Sequence, residues 1–111
     1  MTELNQQTED KAVLMEKINQ ETAQIAWDEL QVYFAAGRTF LVSNDLDLVE
    51  VAYSMQIDDY AVVQEWMKQG LLTKVTNDKA STWFDNKANL WAVVVKPWVL
   101  LQESQIASDI A

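Results

Sequence analysis

The chain has 111 residues, close to the size of one domain around one core, and half of them are apolar, including five Trp, which argues against intrinsic disorder. Seventeen acidic against eight basic residues leave a net charge of −9, which puts binding to phosphate backbones or anionic lipid at a disadvantage. With neither Cys nor His, the chain has no disulfides, no thiolate or imidazole metal ligands and no histidine acid–base catalysis.

The acidity is unevenly spread. Residues 1–65 hold thirteen acids and three bases, whereas residues 66–111 hold four acids and five bases. Residues 1–10 are polar and read as a frayed segment, without the basic start and apolar stretch of a secretory signal. The longest unbroken apolar run, Leu90 to Val95, is far short of the roughly 20 residues of a membrane helix. A cytoplasmic protein with one domain over residues 11–103 and a C-terminal tail over residues 104–111 is expected.

From Lys11, apolar residues at Leu14, Ile18, Ile25, Ala26, Leu30, Tyr33 and Phe34 fall on one stripe and predict an amphipathic helix. Gly37 suits its C-terminal cap, because glycine accepts the left-handed backbone that ends helices. Arg38 to Val42 is β-branched and aromatic and predicts a strand. Ser43-Asn44-Asp45 reads as a turn, and Asp47 with Glu50 as an acidic form of the capping box opening a helix from about Leu48 to Met55.

Asp58 is the expected N-cap of a third helix, with Ile57 and Val62 as its hydrophobic staple, Trp66 and Met67 on its apolar face and Gly70 as its stop. Leu71 to Thr76 predicts a second strand, and Lys79 to Asn86 a short fourth helix presenting Ala80, Trp83 and Phe84. Leu90 to Gln102 reads as one last strand that bends or bulges at Pro97, since proline removes a ladder donor. The order points to an α+β fold, a small winged-helix-like domain with three to four helices on a three-stranded antiparallel sheet.

The last strand is apolar on both parities. Trp91, Val93, Val95, Val99 and Leu101 share one, and Leu90, Ala92, Val94, Trp98 and Leu100 the other. A strand of this kind wants cover on both faces. The second face falls to the fourth helix or to another chain, unless a bend at Pro97 switches the parity that faces inward. Trp83, Phe84, Trp91 and Trp98 are therefore the candidate interaction surface, and an unidentified protein or a second copy of the chain the candidate partner.

Asp45-x-Asp47 resembles the start of a calcium loop, but the Gly and Glu such a loop needs at its sixth and twelfth positions are replaced by Glu50 and Gln56. Ser43, Ser54, Ser81 and Ser104 have no histidine to activate them, and two glycines with no Gly-rich turn leave no phosphate-cradling loop. No catalytic residue, metal site or cofactor is expected. Read as a helix-turn-helix, the pair of middle helices would lead with Asp58 and Asp59, which repel phosphates, and only Lys74, Lys79 and Lys87 around a wing could contact them. A protein-interaction or regulatory module without enzymatic activity is thus the first reading. A nucleic-acid-binding winged helix using those lysines is the second, and a small carboxylate-dependent enzyme the third.

Four stretches carry a family resemblance. They are Glu21-Thr22-Ala23-Gln24-Ile25-Ala26-Trp27 with Glu29-Leu30, Leu46-Asp47-Leu48-Val49-Glu50-Val51-Ala52, Trp66 with Gly70-Leu71, and Trp91-Ala92-Val93-Val94-Val95-Lys96-Pro97-Trp98-Val99-Leu100-Leu101-Gln102. Together they resemble the bacterial family known as domain of unknown function 2288 over about residues 18–103. The resemblance implies a bacterial single-domain protein and carries over no activity, cofactor, partner or site residue.

Overall fold

A computed structural model of the chain describes residues 2–104, with side chains from Asp10 onward. In chain order it forms α1 (Thr2–Glu21), β1 (Ala23–Ala26), α2 (Trp27–Ala35), β2 (Thr39–Val42), α3 (Leu48–Gln56), α4 (Tyr60–Lys68), β3 (Leu72–Lys74), α5 (Asn77–Asn86), β4 (Asn89–Val95) and β5 (Trp98–Glu103). The five strands make one sheet in the order β1-β4-β5-β2-β3. The pairs β1/β4, β4/β5 and β2/β3 are antiparallel, and β2/β5 is parallel. The architecture is α+β, and the expected three-stranded antiparallel sheet is corrected to a five-stranded mixed one. The C-terminal tail lies outside the described residues from 105 onward.

The single helix expected between Lys11 and Phe34 is two helices separated by a strand, and the first starts at Thr2. Thr22 Oγ1 donates to the Ile18 carbonyl at 2.8 Å, taking up a C-terminal carbonyl of α1. The chain then runs along β4, with Gln24 opposite Trp91. This swings Trp27 and Leu30 onto the opposite side of the sheet from Ile18. Gly37 follows α2 with φ +74°, and the amides of Gly37 and Arg38 donate to Phe34 and Tyr33. Gly70 repeats the pattern after α4 with φ +77°. Both are left-handed stops of the kind the sequence predicts.

Residues 90–102 are two strands rather than one. They form a hairpin with Val95 opposite Trp98, and the intervening Lys96-Pro97 peptide bond is cis. The reversal resets the side-chain parity, so each strand supplies both cores. Val93, Val95 and Leu100 face one side, with Phe40, Val42, Leu72, Ile18 and the α3 residues Leu48, Val51 and Ala52. Leu90, Ala92, Val99 and Leu101 face the other, with Trp27, Leu30, Val75, Ala80 and Trp83. The two-sided apolar strand thus finds its second cover within the chain, from α2 and α5. Each fully buried Leu or Val contributes about 1.5–3 kcal/mol through lost water contact.

Local caps position the helices. Asp47 accepts from the Val49 amide at 2.9 Å and opens α3 as expected. The cap of α4 is Asp59, not Asp58: Asp59 accepts from the Val62 amide, while Asp58 takes a left-handed conformation with φ 59°. The frame shift leaves Ile57 exposed, so it does not form the expected staple. Thr76 caps α5 through the Lys79 amide, which shortens the preceding strand to Leu72–Lys74.

Candidate functional site

Helix α4 is the outlier among the helices whose side chains are described. The helices α2, α3 and α5 each bury at least two residues, whereas α4 buries none. Val63 and Trp66 anchor it, partly buried, against the first core. Its spacing places Tyr60, Val63, Gln64 and Met67 on one side, at helical intervals of three and four. Tyr60 is 68% and Met67 41% exposed. Tyr60 and Met67 are thus left open on either side of the half-buried Val63.

That side of α4 forms one wall of a groove of about 430 Å³. The lining also takes in Met55 of α3, the largely buried Phe40, Val95, Pro97 and Trp98 from the sheet end, and the charged residues Asp58, Asp59 and Lys96. Phe40 and Trp98 meet edge-on at 5.3 Å with an interplanar angle of 77°. The Lys74 ammonium sits 5.0 Å from the Phe40 ring centre and 5.3 Å from that of Trp98, and also donates to the Gly37 carbonyl. A second cavity of about 450 Å³, lined by Lys17, Ile18, Glu21 and Gln56 among others, shares Met55, Asp58, Val95 and Lys96 with the first. The two openings therefore meet around Asp58 and Lys96.

The four aromatic residues singled out in the sequence do not share one surface. Trp83 is 3% exposed in the second core, edge-on to Trp27 at 5.1 Å, with its indole N–H donating to Glu103 Oε2 at 3.1 Å. Phe84, its neighbour on α5, is 57% exposed. Trp91 is 37% exposed opposite Gln24 and Gln102, and Trp98 lies at the other end of the hairpin, in the groove. Of the four, only Trp98 belongs to the groove. The residues missed by sequence reasoning are Phe40, Tyr60 and Met67. The apolar positions of α4 are the signal that marks Met67, whereas Phe40 on β2 and Tyr60 join the groove by packing that no local pattern reports.

The three candidate lysines are also apart in their roles. Lys74 is held by two rings and a carbonyl, Lys79 pairs with Glu103 at 2.9 Å, and Lys87 adopts φ 52° at the end of α5. Among the described residues the buried polar side chains are those of Thr39 and Ser54, and the carboxylates lie at caps and on the surface. No three acidic side chains of the described residues come together as a ligand set.

A mixed sheet covered by helices on both faces, with an apolar groove beside an incompletely buried helix, defines an α+β protein. The chain belongs to the family described as Protein of unknown function (DUF2288), whose family model matches residues 13–103. It is similar to PA1075 from Pseudomonas aeruginosa, solved by NMR in solution. The two share 46% identity and a TM-score of 0.72 over 82% of this chain and 84% of that one. No curated protein matches it.

Proposed function

We propose that the protein is a non-enzymatic interaction module of the bacterial cytoplasm, and that the groove between α4 and the β4–β5 hairpin receives a protein partner. The observation that carries this reading is the pair of exposed side chains Tyr60 and Met67 lining one groove with Trp98. Exposed aromatic and Met side chains beside a concave apolar floor are the composition of interface cores. Leaving them in water forgoes roughly 25 cal/mol for each Å² of apolar surface, which a partner recovers on docking.

In this reading α4, the second helix of the α3–α4 pair, meets protein rather than nucleic acid. Its leading end carries Asp58 and Asp59, and two of the three lysines that a nucleic-acid surface would use are engaged within the chain. The apolar lining and the placement of the carboxylates at caps and surface favour binding over catalysis.

A photoreactive amino acid placed at Met67, with a control at Val32 on α2, tests the proposal in the native cells. Val32 is exposed and apolar but is not part of the groove lining. A discrete protein adduct from position 67 and none from position 32 is expected. Equal adducts from both positions, or none from position 67, contradict the reading.

A further inference from the structure

We infer that β1 is an acceptor edge for strand exchange between two copies of the chain, the incoming strand being residues 105–107 of the second copy. The ladder shows which groups are open. β1 is an outer strand of the sheet, paired on one side with β4. The Trp27 amide donates to the Ala88 carbonyl at 2.9 Å, one step beyond the pair Ala26–Asn89. Hydrogen-bonded pairs alternate along an antiparallel ladder, so Ala23 and Ile25 turn their amides and carbonyls to β4, and Gln24 and Ala26 turn theirs outward. Among the described residues, the Gln24 amide and carbonyl and the Ala26 amide have no backbone partner. Ala-Gln-Ile-Ala also lacks the Lys, Pro or bulge that blunts most open edges, whereas the opposite edge strand, β3, ends in Lys74.

The occupant is marked by sequence. Gln105-Ile106-Ala107-Ser108-Asp109 repeats Gln24-Ile25-Ala26-Trp27-Asp28 at four of five positions, each stretch preceded by a small residue, Ser104 or Ala23. Laid antiparallel with Ile106 opposite Ile25, the segment sets Ala107 against Gln24 and Gln105 against Ala26. The three outward groups of β1 then find ladder partners. Ile106 stands on the face where Ile25 packs against the second core, and each glutamine meets an alanine on the other face. The chain's own segment cannot make this pairing. Ser104 follows β5, and the place beside β1 is three strand spacings from β5, about 14 Å. Gln105 lies one residue further, about 3.8 Å. The segment does depart near β1, since Gln24 Nε2 donates to Ser104 Oγ at 3.5 Å, so two copies facing each other across a two-fold axis make the exchange twice.

The test is sedimentation velocity and amide hydrogen exchange of the full chain between about 10 μM and about 1 mM. Dimers are expected to form as concentration rises, with exchange of the Gln24 and Ala26 amides slowing at least about tenfold alongside. Each copy carries a net charge of −9, so added salt is expected to strengthen the dimer by screening. Ala107→Pro removes the amide that donates to the Gln24 carbonyl and is expected to abolish both the dimer and the protection. Ile110→Ser, outside the repeated stretch, is expected to keep them. A monomer throughout, or protection of the two amides that does not vary with concentration, overturns the exchange. So do equal losses in the two variants, a dimer indifferent to Ala107→Pro, a dimer that salt disperses, and a dimer abolished by Tyr60→Ser, the last by seating the second copy in the α4 groove.

Discussion

The indole N–H of Trp83 donates to Glu103 Oε2 at 3.1 Å, so the last residue of β5 satisfies the polar edge of a ring that is otherwise shut into the second core. The same carboxylate oxygen accepts from Lys79 at 2.9 Å. The two bonds differ in worth. The Lys79–Glu103 pair is more than a third exposed on both sides and is screened by water, which limits it to about 0–1 kcal/mol. The bond to Trp83 protects a buried donor whose abandonment costs about 1–3 kcal/mol. Urea unfolding is expected to show Lys79→Ala losing less than about 1 kcal/mol and Glu103→Ala losing clearly more. Glu103→Gln, which keeps an acceptor, is expected to fall between them.

Gln102, one residue earlier and on the opposite face, plays the matching part for the first core. Its Nε2 donates to the carbonyls of Ser43 at 2.9 Å and Leu46 at 2.8 Å, pinning the loop that leads into α3. Gln102→Glu places a carboxylate against two carbonyl oxygens and is expected to destabilise more than Gln102→Ala, which costs about 1–3 kcal/mol. Hydrogen exchange of the loop amides from Ser43 to Asp47 is expected to quicken in both variants.

Leu100 and Leu101 are adjacent in sequence, both fully buried, and belong to different cores. Truncation of either to Ala is expected to cost about 2–5 kcal/mol in urea unfolding. A cost below about 1 kcal/mol for Leu101→Ala would contradict the second core and reopen that face of the sheet to another chain.

Gly70 has φ +77°, and a Cβ added there meets nothing within 4 Å. The cost of Gly70→Ala is therefore backbone strain alone, about 1–2 kcal/mol, visible as a lower urea midpoint with an unchanged slope.

Where the chain punctuates itself with residues of fixed conformational meaning, the fold was legible in the sequence. Gly37 and Gly70 ended helices, Asp47 began one, and the strand after each glycine lies where β-branched and aromatic residues predict it. The failures have physical causes. Ile25, Ala26 and Leu30 continue the helical spacing of Leu14 and Ile18, so nothing in the periodicity marks β1; its four residues are a strand because β4 offers them a ladder. Lys96-Pro97 carries none of the Gly, Asn or Asp residues by which a two-residue hairpin is usually recognised, so the hairpin read as one bent strand. The candidate site was legible only in Trp98. Phe40 and Tyr60 join it through packing between segments twenty and more residues apart, which no local pattern reports.

The most direct measurement of the central claim, that the α4 stripe serves contact rather than core, is the unfolding free energy of the double variant Tyr60→Ser/Met67→Ser. Exposed side chains contribute little to folding, so the expected loss is within about 1 kcal/mol. A loss of about 3 kcal/mol or more would place Tyr60 and Met67 in the core and leave the groove without its binding wall.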